Sequence, residues 1–232
     1  MKENHDQERE VATHIKNKEL VRERRRKIVD VAVKLFIEHG YHKTTTRALA
    51  KKTGMSTGSL YEYVSSKDDV LYLVCTSIHA EVERGIKEAL ARPVENGCAL
   101  AEVIREFFLV CERMSDHVLL MYQVTQFLPE KWQKKVLEAE LRITDLFIEA
   151  MKELRISGKI PDLDDHTINL IGHNISVLGH TWAFRRWYFA KYFTIDEYIE
   201  QQTEFIMRFL GKKNNQQYLP CRNNVTDTGS SV

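Results

Sequence analysis

Two short stretches of helical pattern, joined at Gly54, constrain this chain more than any other feature. Residues 45–53 form one and residues 56–63 the other. Thr44-Thr45-Thr46 offers a hydroxyl cap for the first, because a threonine oxygen accepts an orphan backbone N–H. Gly54 permits the backbone angles of a tight turn. Ala50 is small enough to let the two helices approach, and Met55 and Leu60 supply the apolar contacts that set the second across the first. This is a helix-turn-helix pattern. The second helix turns Ser56, Thr57, Gly58, Ser59, Tyr61 and Tyr63 outward. Small residues at its start let a helix N-terminus come close to phosphate or base edges. The major groove of B-DNA admits such a helix.

The surrounding pattern is helical almost throughout. Ile28, Val31, Ala32, Leu35 and Phe36 form an amphipathic stripe over Lys18 to His39, and Gly40 stops it. The run Arg24-Arg25-Arg26-Lys27 points around that helix, away from the stripe. Ser66-Lys67-Asp68-Asp69 reads as a capping box opening a long helix to about Ala91, with Pro93 beyond it. Further helices are expected over Cys98–Met114, Asp116–Phe127, Glu130–Ile156, Asp164–Ala190 and Thr194–Leu210. Ten Gly and four Pro in 232 residues suit an all-α chain and disfavour β or Rossmann architectures. The expected organisation is a three-helix DNA-binding domain at 18–66 and a larger helical domain at 67–211. Residues 1–17 and 212–232 are expected to be disordered tails.

Net charge of +1 conceals an asymmetry. Residues 15–67 carry 13 Lys/Arg against 5 Asp/Glu, while the flanking segments are mildly acidic. A basic segment of this size suits a polyanion partner, although a solvated charged face would look the same. No apolar run reaches membrane-spanning length and no secretory h-region opens the chain. Cys75, Cys98, Cys111 and Cys221 are scattered, as expected in a reducing compartment, so a cytoplasmic protein with no membrane partner is expected.

Residues 28–74 resemble the DNA-binding domain of the TetR (tetracycline repressor) family of bacterial transcriptional regulators. The resemblance is carried by Ala32, Phe36, Gly40-Tyr41, the run Thr44 to Ala50, the run Gly54 to Val64, and Ser66 to Leu71. Tyr63 stands where the family often has His, and Val64 where it often has Phe. The resemblance implies a homodimer on double-stranded DNA with a palindromic operator. By position it places Arg47 on phosphate or base edges and Thr46 on phosphate. It sets Thr57, Gly58, Ser59, Tyr61 and Tyr63 in or beside the groove, and Lys67 as a phosphate clamp. Arg24, Arg25 and Arg26 either add DNA contacts or form a plain charged face. The resemblance also places the last two helices at a four-helix dimer contact. Ile195, Tyr198, Ile199, Phe205, Ile206 and Phe209 would be the buried stripe there.

The C-terminal helices carry weaker signals. His166, His173, His180 and Trp187 recur every seven residues on one expected face. A seven-residue step rises about 10.5 Å, too far for two ligands each about 2 Å from one zinc. Packing roles, or a pH-sensitive interface or ligand contact, remain open for them. Phe107, Phe108, Cys111, Met114 and Met121 are either core or the lining of an apolar effector cavity. The same choice holds for Tyr122, Phe127, Phe147 and Met151. Gln126 and Asn174 are the polar candidates for a ligand contact. The aromatic-basic cluster around Arg185 resembles one found in acyl-CoA-sensing relatives, with cation–π packing as its alternative. A small, mainly apolar effector is therefore expected, with no cofactor and no metal. Gly-rich phosphate loops and nucleophile elbows are absent, which disfavours an enzyme. A helical regulator that answers to a protein partner is the other alternative.

Overall fold

The computed structural model describes residues 11–91 and 99–211. Among them are nine α-helices, one 3-10 turn and no strand. Helices α1 (Lys18–His39), α2 (Thr46–Thr53) and α3 (Thr57–Tyr61) form a small N-terminal unit. Helices α4 (Lys67–Leu90), α5 (Ala99–Arg113), α6 (Ser115–Val124), α7 (Glu130–Ile156), α8 (Asp165–Phe189) and α9 (Ile195–Gly211) form the larger one. A 3-10 turn at Thr125–Phe127 separates α6 from α7. The all-α expectation and most helix boundaries agree with this arrangement. Helix α3 is shorter than the expected 56–63: it ends at Tyr61, and Glu62, still at right-handed helical angles, continues in tighter turn bonds to a buried Tyr63. The expectations for residues 1–10 and 212–232, and for Cys98 and Cys221, lie outside the described residues.

The caps follow from the sequence. The Asn17 side chain accepts from Leu20 N, Thr45 Oγ1 from Ala48 N, Ser56 Oγ from Ser59 N and Asp164 Oδ1 from Thr167 N. Gly54, at φ 72°, closes α2 in the left-handed region. There Met55 N donates to Ala50 O at 2.9 Å and Gly54 N to Lys51 O at 3.2 Å, the two bonds of a Schellman ending. At α4, Ser66 Oγ accepts from Asp69 N. The reciprocal half of the expected capping box differs, since Asp69 Oδ2 accepts from Ser65 N rather than from Ser66. Its other oxygen accepts from Trp132 Nε1 at 3.2 Å.

One core runs through both units. Helix α4 packs on α1, α5, α6 and α7, and α8 packs on α5, α6 and α7. Tyr72 of α4 stacks on Trp132 of α7 with ring centroids 4.0 Å apart. Helix α8 approaches α5 closely at Gly179, where an added Cβ would lie 2.4 Å from Phe107 Cε1. Within α8, Arg185 departs from helical angles and marks a kink. No described helix is long and apolar enough to cross a membrane.

Two expectations about the N-terminal side need correction. Residues 11–17 are not a free tail. Val11 is buried and Thr13 Oγ1 donates to Glu62 O at 2.7 Å. Arg25 is the reason: it is not on a charged face but buried, 3% exposed. Its Nε donates to Tyr63 O at 3.0 Å and an Nη to Val11 O at 2.7 Å. One guanidinium thus satisfies two carbonyls that would otherwise be buried without donors, and it ties the leading segment and the α3–α4 link to α1. Arg25→Ala should therefore destabilise the protein by about 2–4 kcal/mol. Urea unfolding followed by circular dichroism checks this, and a loss below about 1 kcal/mol would show the clamp to be dispensable.

Candidate functional site

The candidate DNA-reading surface is built by α2 and α3. Arg47, Ser56, Thr57 and Gly58 are exposed, while Thr46 and Ser59 are half-buried. Ser56 spends its hydroxyl on the cap of α3, so it positions that helix start. Tyr61 is 48% exposed, and its hydroxyl lies 3.2 Å from Thr46 Oγ1. That bond joins the two helices of the motif side chain to side chain. Lys43, Lys51 and Lys52 are also exposed on this unit, although no motif singled them out. Their signal was only the local charge excess.

Two expected contacts are placed differently. Tyr63 is 6% exposed and turned into the core, so it does not lie beside the groove. It sits one residue past the helical turn of α3, where the chain folds inward to Val64. Lys67 is half-buried, with Nζ donating to Tyr41 O at 2.9 Å and Thr44 O at 3.1 Å. The ammonium also lies 4.3 Å from the Tyr41 ring centroid. A cation at a helix N-terminus faces the wrong end of the dipole, and these carbonyls compensate for it. In this arrangement Lys67 holds the α1–α2 loop to α4. Beside it, Tyr41 donates a hydrogen bond to Asp68.

The comparisons with known proteins agree with this geometry. Residues 28–72 match the family described as bacterial regulatory proteins, tetR family. Over 195 residues the chain is 29% identical to the HTH-type transcriptional regulator HbdR of Aromatoleum sp. (strain CIB), covering 82% of each. A tetR-family regulatory protein from Rhodococcus RHA1 superposes with TM-score 0.70 at 19% identity, over 82% of this chain and 98% of that one. Residues 28–72 thus carry the tetR-family match, and the chain is similar to TetR-family regulators over most of its length. A further structural neighbour, AibR in complex with isovaleryl coenzyme A and operator DNA, has TM-score 0.64 at 16% identity. It covers 78% of this chain and 97% of its own. The proteins that this chain resembles are described as transcriptional regulators, and the matched segment contains the α2–α3 motif.

In its larger unit, the expected effector-lining residues do not gather around one cavity. Phe108, Cys111, Phe147 and Met151 are fully buried core, and Met121 nearly so. Burial pushes the Cys111 thiol well above its ordinary value. Gln126 and Asn174 are exposed, and Gln126 donates to the nearby Gln123 O. Phe127 lies outside that core, 4.5 Å from the His42 ring and stacked toward Tyr41. Arg185 is exposed, its guanidinium 5.2 Å from the Trp187 ring. The histidine row also divides. His180 is buried, whereas His166 and His173 are exposed, because α8 packs only part of its circumference.

A buried polar cluster was missed. Glu140 of α7 accepts from His79 Nε2 of α4 at 3.2 Å and from Ser176 Oγ of α8 at 3.1 Å. His180 Nδ1 lies 3.7 Å from the same carboxylate and shares a hydrogen bond with Tyr122 OH of α6 at 3.0 Å. Four helices thus meet at five polar side chains. His79 is fully buried and its Nδ1 has no hydrogen-bond partner among the described residues. Tyr122, 49% exposed, forms the solvent side. No short-range motif could reveal this group, since its members are far apart in sequence. The available signal was polarity at otherwise apolar helix positions.

Burial alone would raise the Glu140 carboxyl, but the His79 hydrogen bond and the flanking imidazoles outweigh it and hold it well below the carboxylate range. Burial lowers His180, with Glu140 pulling partly against it. Both folded-state values lie below the unfolded ones, so both stabilise at neutral pH and both contributions are lost on acidification. The histidine loss begins as pH falls below about 6.5, and the carboxylate loss below about 4.5. Glu140→Gln should cost about 3 kcal/mol near pH 7, a difference that closes below about pH 4.5. Thermal melts of both proteins across pH test this, and a difference independent of pH would contradict it. Lys67→Met should lower stability by about 1–2 kcal/mol and leave the salt slope of DNA binding unchanged. A slope reduced by about one would instead show a phosphate contact.

Proposed function

We propose that this regulator acts as a homodimer on a palindromic operator, as a repressor released by a small effector. The observation that carries the reading is α4, which is held to the DNA-binding unit at one end and to the Glu140 cluster at its middle. Arg47, Thr57, Gly58, Ser59 and Tyr61 enter or border the groove, with Thr46 acting through Tyr61. The unit of residues 18–66 reads DNA and residues 67–211 bind effector and partner.

Support for the dimer comes from α8 and α9. Leu170 and Val177 are 62% and 54% exposed, and Phe205 is 67% exposed. Exposed apolar groups of this kind mark an interaction face. Tyr198, Ile199 and Ile206 take no part, because they are buried within the subunit. In such a dimer two recognition helices would sit about 34–36 Å apart, or further for a wider operator.

The effector is mainly apolar with one polar end, which meets Tyr122, His180 and the unpartnered His79 nitrogen. A neighbour solved with isovaleryl coenzyme A supports an acyl-CoA as one such class. To release DNA it must bind the two conformations unequally. The close packing of Phe108, Phe147 and Met151 favours a second reading, in which a protein partner supplies the signal.

Fluorescence anisotropy with DNA from upstream of its own gene, against scrambled DNA across a salt series, tests the proposal. Binding about a thousandfold tighter to a palindrome, at two subunits or a multiple, is expected. Equal affinity for scrambled DNA would contradict it.

A further inference from the structure

A cavity of about 620 Å³ lies away from the Glu140 cluster, between α1, α4 and the α5–α6 corner. Its volume is within the usual range for small-molecule sites. The floor is apolar, with Val29, Leu73, Ala80 and Met114. Guanidinium groups surround it, from Arg26 on α1, Arg84 on α4 and Arg113 at the end of α5. A smaller cavity of about 370 Å³ shares Asp30, Arg113 and His117 with it and extends to Arg186 on α8. We infer that this arginine-lined cleft is a binding site for an organic phosphate, an anion carrying an apolar body.

The state of each arginine supports that class. Arg113 reaches Glu106 at 3.0 Å and Glu81 at 3.9 Å through the same terminal nitrogen, Nη2. Its Nη1 takes part in neither contact and keeps N–H donors for a ligand. Arg84 lines the cleft with Nε and Nη2 on Glu81 and Nη1 on Glu88, so it adds positive charge at the rim more than open donors. Arg26 is exposed and forms no ion pair with a described residue. A planar guanidinium held by a carboxylate behind it keeps donors in the geometry that phosphate oxygens match. Asp30 and Glu81 also line the cleft, so a bare anion gains little there. The apolar floor must supply part of the affinity, which is why an organic phosphate fits better than inorganic phosphate.

The cleft joins two units. Arg26 and Val29 belong to the helix that carries the DNA-binding unit, while Arg113 and His117 belong to the larger unit. A ligand touching both binds best at one relative placement of them. Its affinity is then linked to operator affinity, with equal factors in each direction. That coupling relies on the regulator reading above, whereas the binding itself does not.

Isothermal titration of the full-length protein, without DNA, with coenzyme A, ATP and pyrophosphate as probes tests the site. Saturable binding of coenzyme A or ATP, at least tenfold tighter than pyrophosphate, is expected. Arg26→Ala and Arg113→Ala should each weaken it at least tenfold, while Lys134→Ala on the exposed face of α7 should not. Because Arg26 is exposed and forms no ion pair with a described residue, its variant should keep a melting temperature close to wild type and so separate binding loss from misfolding. No binding at roughly 1 mM probe, or binding unchanged in Arg26→Ala, would overturn the site. So would a reduced salt slope on operator DNA in both variants without probe binding, which would make the cleft a DNA-backbone contact. Probe binding that follows this mutational pattern supports the site even where operator binding fails, and that failure would count against the regulator reading alone.

Discussion

Helix α4 is the element on which everything else depends. Its first turn holds the DNA-binding unit through Lys67 on the loop carbonyls and Asp68 on Tyr41, while Asp69 ties the same turn to Trp132 of α7. Twelve residues later His79 donates to Glu140, about 18 Å along the same helix. A continuous helix of this length transmits a rotation or shift at its middle to its end. A change at the buried cluster therefore reaches α2 and α3 without any flexible joint between.

Polar bonds set the register of that coupling. Asp69 meets Trp132 and His79 meets Glu140, so two contacts ten residues apart on α4 match two contacts eight apart on α7. Those steps are about 15 and 12 Å, so the helices run side by side in the same direction. Apolar packing alone tolerates sliding, whereas an unpaired buried carboxylate does not. The Tyr72–Trp132 stack fills the space between the two bonds. The 3-10 turn adds a second path, since Phe127 rests against His42 and Tyr41 of the DNA-binding unit.

Local information was legible in the sequence. The α2–α3 motif, the Gly54 turn and the caps at Thr45, Ser66 and Asp164 depend on neighbours within about four residues, and their spacing announced them. Long-range placement was not legible. Arg25 sits in a run of four basic residues, and nothing local separates it from Arg24 or Arg26. Only the fold brings Tyr63 and Val11 carbonyls to it. Lys67 looks like a phosphate clamp by position, until the α1–α2 loop is seen to occupy its donors. The effector candidates failed for a related reason. Helical periodicity identifies a buried face but cannot say whether that face meets other side chains or an empty space. Phe108 and Phe147 meet side chains, while Glu140 and His79, at polar positions on mostly apolar faces, find each other.

The central claim is that the Glu140 cluster and the DNA-binding unit are coupled through α4. Operator affinity of Glu140→Gln, by anisotropy at fixed salt under conditions where the variant is fully folded, tests it most directly. Leu137→Ala, on the exposed side of the same helix, serves as the control. The account predicts a change of at least threefold in operator affinity for Glu140→Gln and none for Leu137→Ala, a coupling of about 0.7 kcal/mol or more. Equal operator affinity for wild type and Glu140→Gln would contradict it.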